Sequence, residues 1–290
     1  MAHFPLNRII NNDDVIKICC RLYRQSVLKV LPISIALLLL YNFIRFGEYL
    51  YPEKYAHLHP QIAIFAVALL LPLIGALFSA IDAIGKTSTL SYSQLAIYTI
   101  QRFLPLAGCF FSMLLVPALI LGVCAGVYFY LGMIEVNMLI LFGWAGISSL
   151  IVFASFVPKV FAPILVFSDM LGANESIDES ARLVKGNFLR CMLFCLLAGL
   201  VLFFFARLGY LITSYFPALK TLPRYMPEAI AQVLLAIIGP WSFALLLTLK
   251  YDLQIRHPLD ASMRKVQKPV MKAPQSVSMP KKSDEDNVSF

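Results

Sequence analysis

Six long apolar runs divide the chain, with shorter polar segments between them. The second, fourth and sixth runs are long enough to cross a hydrocarbon layer alone, because about 20 helical residues suffice. The first and fifth need their flanking residues. The pattern predicts an all-α polytopic membrane bundle of six transmembrane helices, arranged as three hairpins with interfacial amphipathic helices. The runs cover residues 30–44, 62–81, 103–131, 137–157, 191–206 and 229–249.

Composition supports a membrane protein and leaves its chemistry open. Hydrophobic residues make up 60% of the chain and charged residues 14%, and the mean hydropathy of +0.78 excludes a soluble domain. No charged residue or histidine lies in the centre of a run, whereas an intramembrane charge usually marks a transport path. Asp82 and Asp169 lie at the ends of runs. We interpret them as interface residues and not as catalysts.

The distribution of basic residues predicts the orientation. Nineteen Lys and Arg lie on one side of the predicted spans and five on the other, so the positive-inside rule places both termini in the cytoplasm. The net charge of +8 is then a topology signal, and we expect no nucleic-acid partner. We also expect an N-terminus without a cleaved signal peptide. Residues 1–255 are predicted to form the membrane domain and 256–290 a disordered cytoplasmic tail.

Short segments before three of the spans resemble one another. Residues 21–29 and 182–190 share Arg, Leu and basic residues in register, and 94–102 is a degraded third copy. They suggest three repeats, each a surface helix followed by a hairpin, over 12–81, 90–168 and 174–251. Chance similarity between short Leu/Arg-rich segments is the alternative.

The surface helix before the fifth span has the clearest local signals. Ser176 and Glu179 fit a capping box. The apolar stripe of this helix lies either in the acyl boundary of the bilayer or against the protein's own bundle. Its predicted members are Ile177, Ala181, Val184 and Phe188, and those of the similar face before the first span are Val15, Cys19, Leu22 and Ser26.

Residues 161–169 and 175–188, which include Glu175-Ser176-Ile177-Asp178-Glu179-Ser180-Ala181-Arg182, resemble a signature of the YciC-type bacterial inner-membrane proteins. Related six-helix regions resemble the membrane domain of some glycerophosphodiester phosphodiesterases. The resemblance implies a six-span protein of the bacterial inner membrane with no established activity. This chain has no phosphodiesterase domain, so no catalytic residue is carried over.

Several weaker patterns complete the set of hypotheses. Gly122 and Gly126 form a close-packing motif, for which packing within one chain is favoured over a dimer face. The apolar segment 158–167 extends the fourth span as a kinked continuation or a re-entrant piece. We expect the six cysteines to be free thiols. His57 and His59, with Glu48 and Glu53, form a weak metal-site pattern that we do not adopt.

These observations favour a non-enzymatic membrane protein that organises the envelope or associates with lipid. A small-solute or lipid transporter or channel is the alternative, and a membrane enzyme comes third. We predict no catalytic, cofactor-binding or metal-binding residue. The expected partners are the lipid bilayer, anionic lipid head groups, and a second copy or another membrane protein. The expected location is the bacterial cytoplasmic membrane.

Overall fold

The computed structural model describes residues 4, 6, 9–50, 52–88, 91–133, 137–215 and 226–256. Within these ranges, only the backbone is described for 41–50, 52–67, 133, 210, 213, 214 and 226–228. The predicted tail after residue 256 therefore lies outside the described residues. The side chains of the weak metal pattern around His57 and His59 also lie outside them.

The described residues form helices joined by short turns, and no strand occurs among them. One 3₁₀ turn, Val157–Lys159, also occurs among the described residues. The helices are α1 (Asn12–Leu50), α2 (Pro52–Gly85), α3 (Tyr92–Gln101), α4 (Phe103–Met133), α5 (Met138–Phe156), α6 (Ala162–Ser168), α7 (Ala173–Val184), α8 (Phe188–Tyr215) and α9 (Met226–Arg256).

Six helical segments in the described part of the chain are long and apolar enough to cross a membrane, as the sequence predicts. The chain is thus an all-α, multi-pass membrane protein. Helices α1 and α2, α4 and α5, and α8 and α9 are the consecutive pairs that carry these segments. The segments are Asn12–Leu40, Ala68–Gly85, Phe103–Gly132, Met138–Ser168, Phe188–Gly209 and Ala229–Arg256.

Burial is concentrated at one end of the bundle, which we call the packed end. It comprises residues 15–33 of α1, 76–85 of α2, 157–167, 183–198, and 244–253 of α9, where most of the buried side chains lie. Helices α4 and α5 contribute few of them, and Leu119, Phe129 and Leu150 are more than 60% exposed. The bundle is therefore densely packed where α2 and α9 end and α8 begins.

The first half of α1 carries the buried stripe that the sequence predicts. Val15, Cys19, Leu22 and Ser26 are fully buried, because spacings of three and four residues place them on one side of a helix. The Cys19 thiol contacts the carbonyl oxygen of Trp241 at 3.5 Å. The stripe therefore packs against α9 of the same chain and does not face the acyl layer.

The order of the helices is compatible with the three predicted repeats. Short helices α3 and α7 precede the pairs α4–α5 and α8–α9, whereas the corresponding segment of the first unit is continuous with its span in α1. Helix α3 buries Leu95 and Thr99, two residues of the degraded third copy. The repeat boundaries stay a prediction.

The predicted capping box at the start of α7 is wrong. The helix begins three residues earlier, and the Gly172 amide donates to the Glu175 carboxylate at 3.1 Å. The Ser176 hydroxyl donates to the carbonyl oxygen of Ala173 at 2.7 Å, so it is occupied inside the first turn. Gly172 and not Ser176 is the N-cap, because Gly172 has the extended conformation that an N-cap requires.

The predicted stripe of α7 is only partly correct. Val184 is buried, Ile177 is half-buried and Ala181 is exposed. Ser176, Ser180 and Leu183 are fully buried instead. The face is rotated because the Ser180 hydroxyl donates to the carbonyl oxygen of Pro158 at 2.7 Å and accepts from the Phe161 amide at 3.2 Å. These two hydrogen bonds of Ser180 thus determine which face of α7 is buried, and hydrophobicity alone predicted a different face.

The segment after α5 is a broken helical continuation inside the packed end. Phe161, Ala162, Ile164, Leu165 and Val166 are at most 1% exposed. The segment contacts α2, α4 and α7, so its irregular backbone is buried in protein, where such breaks are tolerated. Burial in protein is compatible with both the kinked continuation and the re-entrant piece, so the choice between them stays a prediction.

The small-residue motif of α4 does not pack against any of the described residues, contrary to our expectation. A Cβ atom placed on Gly122 or Gly126 would meet no atom within 4 Å outside its own helix backbone. The expectation fails because α5 lies against another face of α4. All six cysteines are free, as predicted, although Cys20 is exposed beside the buried Cys19.

Candidate functional site

The last two turns of α9 carry the polar residues of the packed end. They follow the sixth apolar run as Lys250-Tyr251-Asp252-Leu253-Gln254-Ile255-Arg256. Helical geometry places residues 250 and 254 on one face and 252 and 256 on another. Two hydrogen-bonded networks arise, one on each face.

The first network surrounds Lys250, whose side chain is fully buried. Its ammonium group contacts the Asp169 carboxylate at 2.7 Å and lies 4.1 Å from the ring centroid of Tyr251. The Gln254 amide donates to the other oxygen of Asp169 at 2.6 Å. A buried ammonium needs such a paired, hydrogen-bonded environment because its desolvation is costly.

Tyr251 links this network to the end of α2. Its hydroxyl donates to one oxygen of Asp82 at 2.7 Å, and the Lys86 ammonium group contacts the other oxygen at 2.7 Å. Phe4 stacks on the Tyr251 ring with centroids 4.3 Å apart, and the Phe4 amide donates to the Gly85 carbonyl oxygen at 3.0 Å. The polypeptide before α1 is thereby attached to α2 and α9.

The second network surrounds Asp252, which is fully buried. Its carboxylate accepts from the Ile10 amide at 3.0 Å and contacts the guanidinium groups of Arg190 at 3.0 Å and Arg256 at 2.8 Å. Both arginines also donate to the Ile10 carbonyl oxygen, at 3.1 Å and 2.8 Å. One carboxylate therefore joins the start of α8, the end of α9 and the segment before α1.

A strained turn after α6 positions Asp169. The next residue, Met170, has a φ of 59°, a conformation that L-residues other than glycine rarely adopt. Arg102 donates to the Met170 carbonyl oxygen at 3.0 Å, and the Tyr98 hydroxyl donates to the Phe167 carbonyl oxygen at 2.6 Å. Burial raises the pKa of the Tyr98 phenol, which therefore stays a neutral donor at physiological pH.

The two networks join helix ends to one another. Their carboxylates pair with cations and amide or hydroxyl donors of the same chain, and no group of metal-binding side chains occurs among the described residues. We call the two networks together the clamp. Its side chains and backbone groups come from α2, α8, α9, the segment before α1 and the turn after α6.

The structure places the two sequence-predicted interface residues in the clamp. Asp82 and Asp169 both lie at helix ends, and both bind side chains of α9. The sequence analysis missed Lys250 as the partner of Asp169, and it missed the pair of Asp252 and Arg190 in the second network. The spacing of four between Lys250 and Gln254, and again between Asp252 and Arg256, was a local signal that α9 continues beyond its apolar run.

An apolar cleft of about 450 Å³ is lined by side chains of α1, α2, α8 and α9. Leu37, Leu38, Leu70 and Phe243 are among the side chains that line it, and it contains the polar residues Ser34 and Gln232. Leu37, Leu38 and Leu70 are only half-buried. The cleft is thus open at its side and not sealed within the protein.

Comparison with known proteins gives no relative: no protein-family model, no curated protein and no solved structure matches this chain.

Proposed function

We propose that the protein is a non-enzymatic organiser of membrane lipid in the bacterial cytoplasmic membrane. In this proposal the packed end lies at the cytoplasmic surface, and its outer face collects anionic lipid head groups. The positive-inside distribution of Lys and Arg and the resemblance to YciC-type proteins support this orientation and location.

The observation that carries the proposal is the exposed basic face of α1. Lys17, Arg21 and Arg24 are exposed, and their spacing of four and three residues places them on one side of the helix. A helix turns about 100° per residue, so these residues lie opposite the buried stripe that contains Cys19 and Leu22. Helix α1 thus holds its cations outward while its other side is fixed to α9.

Basic residues held in this way attract anionic lipid. Each Lys or Arg near an anionic surface contributes about 1 kcal/mol, and the attraction falls off within a Debye length. Replacing Arg21 and Arg24 together is therefore expected to weaken binding of anionic lipid by about 2 kcal/mol at low salt, which is roughly a 30-fold change.

Electron paramagnetic resonance of spin-labelled lipids tests the proposal with the full chain in vesicles. The wild type should prefer labelled phosphatidylglycerol over phosphatidylcholine, and added salt should reduce the preference. Arg21→Gln/Arg24→Gln should lose most of the preference, while Arg21→Lys/Arg24→Lys, which keeps both charges, should retain it. Arg207→Gln, which replaces an exposed arginine on the predicted outer side, is the second control. An unchanged preference in the double Gln variant would refute the proposal.

The second candidate function is lipid transport, which the open apolar cleft favours. A transporter of lipid would accelerate movement of fluorescent lipid between the two leaflets of proteoliposomes. We expect the organiser to bind lipid without such acceleration. Rapid transbilayer movement that depends on the protein would put the transporter first.

A further inference from the structure

One polar group of the cleft is left without a partner by its apolar surroundings. Ser34 is 5% exposed, it lines the cleft, and its hydroxyl has no hydrogen-bond partner among the described residues. A buried hydroxyl without a partner is costly, so a native structure usually supplies one. A ligand in the cleft is one means of supplying it.

Pro240 in α9 affects a second polar group on the cleft lining, the carbonyl oxygen of Ala236. Pro240 lies inside the helix and has no amide hydrogen, so the helical bond from residue 240 to the carbonyl oxygen of Ala236 is absent. Ala236, Gly239 and Pro240 all line the cleft. The next carbonyl, that of Ile237, accepts from the Tyr23 hydroxyl at 2.9 Å, so a side-chain hydroxyl can donate to the carbonyl oxygens of this part of the helix.

The position and dimensions of the cleft indicate an elongated apolar ligand. On α2 the cleft extends from Leu77 to Leu70, about 7.5 to 18 Å from Asp82 at a rise of 1.5 Å per residue. On α9 it extends from Ala231 to Phe243, about 18 Å of helix. A volume of about 450 Å³ over that length has a mean cross-section of about 25 Å², which suits one extended hydrocarbon chain.

The charge of the walls selects among lipids. In the described part of the chain, no ionisable side chain lines the cleft, so a charged head group would be buried there without compensation. The Ser34 hydroxyl can donate a hydrogen bond and accept one, and the Ala236 carbonyl oxygen can accept one. A suitable partner must therefore both donate and accept. An uncharged hydroxyl does both.

We infer that the cleft is a binding site for a neutral lipid, a hydrocarbon chain that ends in an uncharged hydroxyl group. The polar end lies at the Ser34 hydroxyl, and the chain lies against Leu38, Leu70 and their apolar neighbours. This inference rests on the proposed function only in that lipid is the partner. The ligand here is uncharged and does not need the basic face of α1.

Photolabelling of the full chain in phosphatidylcholine vesicles tests the inference. The probe is a long-chain alcohol with a diazirine in its chain and a terminal alkyne. We expect saturable labelling of peptides that contain residues 34–38, 70–77 and 231–243, and competition by the unlabelled alcohol. The corresponding fatty acid probe, charged at neutral pH, should label these peptides at least 10-fold less.

Two variants separate a specific site from general contact with lipid. A Cβ atom on Gly239 would meet nothing within 4 Å, so Gly239→Leu should fill the cleft without a clash and reduce labelling at least 10-fold. Gly199→Leu, where a Cβ atom also meets nothing within 4 Å, lies outside the cleft lining and should leave labelling unchanged. Ser34→Ala should raise the probe concentration that gives half-saturated labelling by about 2- to 10-fold, the effect of one hydrogen bond. It should not lower thermal stability.

Labelling that does not saturate, and that is equal on the cleft and on the exposed face of α4 around Phe111, would show bulk lipid only and would overturn the inference. Equal labelling by the alcohol and fatty acid probes would also overturn it. Because the alcohol is uncharged, these results are independent of the phosphatidylglycerol preference that tests the proposed function.

Discussion

Replacing Asp169 by Asn removes the acid that neutralises the fully buried Lys250. The ammonium and carboxylate groups are 2.7 Å apart, and the exposed fractions of the two side chains are 0% and 21%. Loss of one partner of a buried ion pair costs about 3 to 5 kcal/mol. We expect about 3 kcal/mol of destabilisation, at the low end, because Asp169 has some access to solvent and Asn retains an acceptor oxygen.

Two further variants separate the ion pair from general disruption. Lys86→Gln breaks the contact with Asp82, but Lys86 is 36% exposed, so the expected loss is 1 kcal/mol or less. Asp169→Asn/Lys250→Met removes both charges and keeps the approximate shape of both side chains. Its stability should return close to the wild-type value, because replacing a whole buried pair by apolar groups is often neutral.

The cysteines supply the assay. Five of the six are buried, so a thiol-reactive dye reports unfolding of the protein in detergent on heating, and Cys20→Ser removes the exposed thiol from the background. Asp169→Asn should lower the melting temperature several times more than Lys86→Gln. Equal shifts, or a double variant as unstable as the sum of its single changes, would refute the assignment of Lys250 to a stabilising pair.

Three other predictions follow from burial and charge. Val184→Asp, at a position that is 2% exposed, should lower membrane accumulation strongly, whereas Lys185→Gln at the exposed neighbour should not; equal accumulation would contradict the burial of Val184. Gly75→Ala should lose about 1 to 3 kcal/mol in the thiol assay, because its Cβ would lie 2.3 Å from the Phe167 ring, while Gly199→Ala should be neutral or stabilising. Sealed vesicles that contain the protein should retain pH and sodium gradients, since the apolar runs carry no central ionisable group; protein-dependent dissipation would exclude this.

The class of fold and the number of spans could be predicted because hydropathy is a local property. Runs of about 20 apolar residues have one stable arrangement in a bilayer, the helix, and the predicted third run of 103–131 lies within α4. The buried stripe of α1 was also predictable, since Val15, Cys19 and Leu22 follow helical spacing.

The clamp could not be predicted because its contacts are distant in sequence. Lys250 and Asp169 are separated by 81 residues, and Tyr251 and Asp82 by 169. Hydropathy ends the sixth run at residue 249, so the cations after it counted only as topology signals. The face of α7 was misassigned for a related reason, because Ser180 is buried through contacts with the carbonyl oxygen of Pro158 and the amide of Phe161 that no periodicity records.

The clamp and the cleft are built on some of the same helices. The three helices that line most of the cleft, α1, α2 and α9, are joined at the packed end through Asp82, Tyr251 and Asp252. Leu77 on the cleft wall is only five residues from Asp82, about 7.5 Å along α2. These hydrogen bonds hold α2, α9 and the segment before α1 together near that side of the cleft. A variant that breaks the clamp should change access to the cleft as well as stability, whereas Gly239→Leu fills the cleft and leaves every contact of the clamp in place.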